Sequence, residues 1–281
     1  MTFFDFLSRF ILRFALLLLL ISSASALELH EDGVLRVGIY DDFSPFSDKE
    51  RGGLDVDLAN LLADELELKL QIVWVPADES VEDDLRNFIW KGHFLDKPIA
   101  DVMLHMPVDP VFDSRIKQVK LFAPYYREKV AVLHRLDKIK KMRNLEPFFQ
   151  NNKAGVQSGS GASAHLLSVY SGRLQNQIKV FVTYADAVAA LKNGEISAVV
   201  GPRAELEGLY GEKKNEVKVT EIPLGGAVVL QWNPGLAIRS DRPKLFRALK
   251  DAMEKLSKSN SLQNMFSKYH IEYKAPLKIS N

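Results

Sequence analysis

The sequence predicts an α/β protein of two lobes, each a mostly parallel sheet flanked by helices, with two crossings between them. Three observations carry that prediction. Short apolar, β-branched runs alternate with helix-periodic stretches from Val34 onward, the signature of βαβ units. The alternation breaks at Tyr126 and begins again at Val130 as a second unit. Two amphipathic helical stretches close the chain, and the stripe Leu245, Leu249, Met253 and Leu256 needs a sheet face to cover.

The first residues form a leader. Arg9 and Arg13 precede the apolar run Phe14–Ile21, and Ala24-Ser25-Ala26 follows. A charged start, a short apolar core and a small-residue site read as a signal peptide. The run is shorter than the roughly 20 residues a membrane span needs. Cleavage after Ala26 is expected, which makes residues 1–26 the signal peptide.

In the first lobe, Val34–Tyr40 is a strand. Leu54, Val56, Leu58, Leu61, Leu62 and Leu66 recur at helical spacing. Leu70–Val75 is a strand, Val81–Trp90 a helix with Leu85, Phe88 and Ile89 on one face, and Ile99–Leu104 a buried strand. In the second lobe, Val130–Leu133 and Ala154–Gln157 are strands, and a small-residue turn leads into a helix to about Tyr170. Ile178–Val182, Tyr184–Leu191 and Ser197–Val200 then read as strand, helix and strand. Ala227–Leu230 and Gly235–Arg239 are further apolar runs, and helices follow near Arg242–Leu256 and Ser261–Tyr269. Crossings near Tyr125–Lys129 and Gln231–Pro234 give a first lobe of residues 27–129 and 231–281 and a second of 130–230.

Composition narrows the function. There is no cysteine, which excludes a disulfide framework, a thiolate metal site and a cysteine-linked lipid anchor. The 37 basic and 36 acidic side chains nearly cancel, so the basic footprint of a nucleic-acid binder is missing. His93 and His105 stand alone, without metal-ligand spacing.

The stretch Asp101–Lys129 packs a buried strand, an irregular polar loop, the lone Arg115 and a Pro-Tyr-Tyr corner into one passage. A ligand loop at a strand end, followed by a crossing, fits that order. Arg115 suits an anion, because a guanidinium grips a carboxylate through two parallel hydrogen bonds. It also fits a solvated surface arginine near Lys117 and Lys120. Ser158, Gly159, Ser160 and Gly161 end a strand before a helix, where free N–H groups and the positive helix end favour an anion. A plain turn with Ser160 as cap satisfies the same pattern. Phe43 is either a contact surface for a ligand or core packing beside Phe46. Asp41 is either a receiver of a cationic group or a turn residue, and His105 sits at a strand end facing the proposed cleft. Asp57 is a first-turn acid that the helix dipole favours in any case.

These segments, in order, resemble the family 3 extracytoplasmic solute-binding proteins, the receptors of polar amino-acid ABC importers. VLRVGIYDDFSPF resembles the family's opening strand and aromatic ligand loop, and GLDVDLANLLADEL its first helix. SRIKQVKLFAPYY resembles the passage from arginine to hinge, and KAGVQSGSGASAHL the second-lobe anion turn. DAVAALKNGEISAVVG and GLAIRSDRPKLFRALKDAMEKL complete the pattern. The resemblance implies the type 2 periplasmic-binding fold, closing on a small solute in the cleft. It assigns the ligand's α-carboxylate to Arg115 and stacking to Phe43. It implies a monomeric binding protein in the periplasm, neither an enzyme nor dependent on a cofactor, whose partners are an amino acid or organic acid and an ABC permease.

Two departures qualify that expectation. SAVVGPRAEL places Pro202 where the family carries the aspartate for the α-ammonium group. Proline has no charge and no N–H, and Arg203 and Glu205 are the neighbouring alternatives. The loop HMPVDPVFDSR is longer than the family's, and WKGHFLDKPIADVMLHMPVDP resembles the solute-binding-like proteins associated with quinoprotein (PQQ) alcohol dehydrogenases. The alternative role is therefore accessory protein to such a dehydrogenase. A periplasmic dehydratase on the same fold is a lesser one, with Glu205 or Asp109 as its general acid.

Overall fold

In the computed structural model, residues 27–139, 149, 151–168, 175–212, 215–221 and 231–277 are described. The leader, the run Ala227–Leu230 and the helix end at Tyr170 lie outside them. The chain opens with β1 (Val34–Tyr40) and a small hairpin, β2 (Asp42–Phe43) and β3 (Ser47–Asp48). Gly53 then turns the chain into α1 (Leu54–Glu65) at φ +152°. A Cβ there would stand 2.3 Å from the Phe46 carbonyl oxygen, so only glycine fits. β4 (Lys69–Val75) pairs in parallel with β1 along its whole length, from Val34–Lys69 to Tyr40–Val75.

The helix expected over Val81–Trp90 is divided. α2 (Val81–Leu85), capped by Ser80, passes into a π-helical turn, Arg86–Trp90. Its apolar face still buries Leu85, Phe88 and Ile89 against the sheet. The strand expected over Ile99–Leu104 is displaced: β5 runs Val102–Pro107. The polar passage after it is not an irregular loop. Asp109 accepts a hydrogen bond from the Phe112 N–H at 2.8 Å and Pro110 opens the first turn of α3 (Pro110–Arg115). An aspartate cap followed by proline is a helix start legible in the sequence. β6 (Val119–Phe122) follows.

The second lobe is built on β7 (Glu128–Arg135), β8 (Ala154–Gln157), β9 (Ile178–Phe181), β10 (Ala198–Pro202) and β11 (Val217–Thr220). Their order is β11-β7-β10-β8-β9. The β10, β8 and β9 strands run parallel, and β7 runs antiparallel to both β10 and β11. α4 (Gly161–Ser168) covers one face, while α5 (Tyr184–Lys192) and α6 (Arg203–Tyr210) cover the other.

The chain returns through β12 (Gln231–Trp232) and β13 (Pro234–Arg239). β13 inserts between β5 and β6, giving the first sheet the order β4-β1-β5-β13-β6. β12 pairs with the start of β7, Gln231 with Lys129 and Trp232 with Glu128. The two crossings are thus bonded to each other as an antiparallel ribbon. α7 (Pro243–Lys258) and α8 (Ser261–Lys268) then lie with α1 on one face of the first sheet, burying Leu245, Leu249, Leu256 and Phe266 with Leu54, Leu58 and Leu62. Among the described residues, no helix is long and apolar enough to cross a membrane.

The lobes also meet directly. Ala204 of α6 is buried in the core of the first lobe with Phe46, Tyr126 and Ile271. At Gly208 an added Cβ would fall 2.4 Å from Pro45 Cγ and 3.2 Å from Ile271 Cδ1. In an ordinary helix interior Gly→Ala stabilises by about 1 kcal/mol. Here a rigid proline ring from the other lobe blocks the methyl group, so Gly208→Ala is expected to destabilise by ~1–2 kcal/mol. Urea unfolding measures it, and a gain in stability would show that α6 stands clear of Pro45.

Candidate functional site

Beyond the hairpin and α1, β5 carries an extra residue. Between the pairs Gly235–Met106 and Ala237–Met103, β13 advances two residues and β5 three. This is a β-bulge, and His105 within it adopts φ +63°, the left-handed region. The bulge resets the alternation of side chains. Leu104 packs with α1, and His105 stays on that side instead of joining Met103 and Met106 on the other.

There His105 meets three elements, α1, the first crossing and the hairpin. Its Nδ1 lies 2.9 Å from Asp55 Oδ2, and its Nε2 lies 3.2 Å from the Tyr126 hydroxyl. The Tyr125 hydroxyl donates to Asp55 Oδ1 at 2.7 Å and stands 3.2 Å from His105 Nδ1. A carboxylate cannot donate, so Asp55 fixes the proton on Nδ1 and leaves Nε2 to accept from Tyr126. Phe43 and Phe46 flank the ring at centroid distances of 4.8 and 4.3 Å, both edge-on. The Asp55 side chain is 2% exposed and that of His105 9%. Burial raises both tyrosine hydroxyls well above their usual range, with Asp55 and Glu128 adding to it. Both ring nitrogens of His105 are engaged, so its role here is to tie β5 and α1 to the crossing.

The crossing continues into a pair of buried carboxyls. Glu128 accepts N–H groups from Lys129 at 2.8 Å and from Ala204 at 3.2 Å, the latter at the start of α6. Burial pushes its pKa up to about 7, against the pull of those N–H groups and Arg203. Glu205, in the first turn of α6, is pushed up to about 8 by burial and then by the charge of Glu128. Among the described residues its carboxyl accepts no hydrogen bond. Both face Tyr126 and the phenol of Tyr184, which burial raises to about 12.

The residues expected at the site fall into two groups. Phe43 and His105 are brought together by the hairpin and the bulge. Asp41 precedes the same hairpin, and its N–H is bound to the Val75 carbonyl. Arg115 ends α3, exposed, with no side-chain partner among the described residues. The turn Ser158, Gly159, Ser160 and Gly161 opens α4. Ser160 Oγ accepts from the Ser163 N–H at 3.1 Å and donates to the Gln157 carbonyl, and the turn is largely exposed. No hydrogen bond or ion pair joins Arg115 to this turn among the described residues. Asp57 pairs with Lys268 at 2.6 Å and accepts from Tyr269, a surface contact between helices. Sequence reading missed Asp55, Glu128 and Tyr125. Asp55 lies in the quoted GLDVDL segment, and nothing local distinguishes it from Asp57. Elsewhere, a surface groove of about 340 Å³ lies on the second lobe, but Arg135 there is paired with Asp137 and Lys192 lies over Tyr210.

No family model matches the chain. A probable histidine-binding protein of Neisseria gonorrhoeae is 25% identical over 241 residues, covering 84% of this chain and 82% of that protein. An ancestral cationic amino acid solute-binding protein superposes with a TM-score of 0.66 at 24% identity, covering 85% of this chain and 96% of its own. MxaJ from Methlophaga aminisulfidivorans MPT superposes at 0.65 with 19% identity, covering 85% and 99%. The fold is therefore the two-lobe periplasmic-binding fold. The first two relatives are named as a histidine-binding and a cationic amino acid solute-binding protein, the class that the sequence motifs resemble.

Proposed function

We propose that the protein is an extracytoplasmic receptor that closes on a small amino acid or organic acid and delivers it to an ABC importer. It is a binder and not a catalyst, exported behind the leader 1–26, with lobes bounded near residues 130 and 230. The observation that supports this most directly is the similarity to an amino-acid-binding protein across both lobes. Arg115 is the proposed anchor, at the end of α3, the helix that follows β5, and unpaired among the described residues. Phe43, Asp41 and the turn Ser158–Gly161 complete the proposed lining, and His105 stands behind Phe43. Pro202 removes the fixed negative charge expected opposite the arginine, and Glu205 keeps its proton at neutral pH. A carboxylate is thus the part of the solute this cleft is best equipped to hold.

Thermal-shift titration of the mature protein against amino and organic acids tests the reading. At least one compound is expected to raise the melting temperature, and Arg115→Met is expected to weaken its binding roughly 30- to 1,000-fold, about 2–4 kcal/mol. The unliganded variant should melt with the wild type, because among the described residues Arg115 has no hydrogen-bond or ion-pair partner. A panel without any shift would sink the receptor role, and equal binding by the variant would move the anchor elsewhere.

One observation favours the accessory role. Phe94 and Leu95 are 84% and 63% exposed, on a loop within the segment that resembles the quinoprotein-associated branch. Exposed aromatic and leucine side chains side by side suit contact with another protein. Co-purification of a periplasmic quinoprotein dehydrogenase, abolished by Phe94→Ser, would support that role.

A further inference from the structure

The two crossings are not the whole connection between the lobes. After α8 the chain runs on as an extended tail, and Ile271 anchors it in the core of the first lobe. The next residue is held by the second lobe. The Glu272 N–H donates to Glu207 Oε2 at 2.9 Å, and its carbonyl accepts from Arg203 Nη1 at 2.9 Å. Arg203 and Glu207 are themselves paired at 2.7 Å, one helical turn apart on α6, with side chains 3% exposed. Further along, the Lys274 carbonyl accepts from the Arg127 N–H at 2.9 Å, in the first crossing. Leu277 exchanges two hydrogen bonds with the side chain of Asn233, in the second, at 2.9 and 3.1 Å.

In six residues the tail thus bonds to α6, to one crossing and to the other. Hinge closure normally rests on a few residues in the crossings that absorb the change in backbone angles. A segment fixed on both sides of the hinge changes what those residues can do. To swing the lobes apart about the ribbon, the tail must give up both main-chain bonds at Glu272 or move with α6 and strain its anchor at Ile271.

The Arg203–Glu207 pair supports the same conclusion. A buried ion pair is costly to desolvate, and here, among the described residues, Nε and Nη2 of Arg203 are buried without a hydrogen-bond partner, Nε standing 3.9 Å from Glu221 Oε1. Its remaining nitrogen is spent on Glu207 and on the carbonyl of Glu272. The pair binds the N–H and the carbonyl of a single residue, as a neighbouring strand would.

We propose that residues 272–277 form a strap across the hinge that limits how far the lobes separate. The inference concerns the motion, and does not depend on which solute the cleft takes or whether it takes one.

The absence of cysteine makes the test direct. Spin labels at Val111→Cys in the first lobe and Val182→Cys in the second occupy sites 60% and 80% exposed, and pulsed dipolar spectroscopy reads the distance between them without solute. Glu272→Pro removes the N–H that Glu207 accepts, while Glu272→Ala keeps it and removes the exposed side chain with its ion pair to Lys274. The double variant Arg203→Met with Glu207→Leu removes both polar anchors with apolar groups of similar size. A single narrow distance distribution is expected for the parent and for Glu272→Ala. A second, longer population is expected for Glu272→Pro and for the double variant. An unchanged distribution in either of those two, with the variant folded by circular dichroism, would overturn the proposal.

Discussion

Glu205→Gln is expected to stabilise the protein strongly at pH 9 and to leave it almost unchanged at pH 5. The folded state holds this carboxyl near pKa 8, against an ordinary value of 4.5. The sign follows from proton binding. Between those values the folded chain keeps a proton that the unfolded chain releases, so stability falls as the pH rises. The contribution is fully present below about pH 4.5 and is lost as the pH passes through 8. Each pH interval of 1 between the two values corresponds to ~1.4 kcal/mol, so the loss by pH 9 is on the order of 4–5 kcal/mol for an unrelaxed site. Glutamine cannot ionise and removes that loss. Melting temperatures across pH 5–9 should diverge until the variant lies roughly 5–15 °C above the wild type. Parallel profiles would mean that Glu205 ionises freely, and that α6 does not carry it into the lobe contact. Glu128, raised to about 7 beside it, should give a smaller divergence of the same sign, because its carboxylate loses less when two N–H groups already serve it.

Asp55→Ala is expected to cost about 3–5 kcal/mol, the range for removing one partner from a buried charged network. Asp55 accepts from the Tyr125 hydroxyl and pairs with His105 Nδ1, and its loss leaves those two groups with only their 3.2 Å contact to each other in a site closed to water. Against a typical total of roughly 5–15 kcal/mol, that is a large share. Denaturant unfolding gives the number directly. The damage should also be local. Asp55→Asn keeps one acceptor oxygen and should recover part of the loss, whereas Asp57→Ala, two residues on at the exposed contact with Lys268, should cost less than about 1 kcal/mol. A cost for Asp55→Ala no larger than that for Asp57→Ala would remove the network from any structural role.

Much of the architecture can be read along the chain because its strands are short, apolar and separated by helices of the right period. Val34–Tyr40 and Ala154–Gln157 coincide with their strands, and the ends of most others shift by a residue or two. Two departures have physical causes. The π-helical turn at Arg86–Trp90 leaves the helical face unchanged, so periodicity cannot detect it. β5 lies three residues later than its apolar run suggests, because pairing with β13 and not hydrophobicity sets its end at Pro107. α3 was legible and overlooked, since Asp109-Pro110 is a helix start in plain view. The site is less visible than the fold. Arg115, Phe43 and the glycine-serine turn stand out as residue types in suggestive places. The network that organises the crossing joins Asp55, His105 and Tyr125 over separations of 20 to 70 residues. Buried carboxyls such as Glu128 and Glu205 look like any surface acid until tertiary packing encloses them.

The bulge in β5 makes the facing of its last residues a matter of counting. Met106 and Pro107 owe their side of the sheet to one surplus position in the strand. Deleting His105 would leave two residues of β5 against two of β13, a regular ladder in which Met106 keeps its partner and its side, at the cost of the contact to Asp55. An insertion or deletion in the exposed stretch Phe94–Lys97 only lengthens or shortens a loop. Ten residues later the same deletion removes the side chain that ties the strand to α1, so the two ends of this segment should differ sharply in what a length change costs.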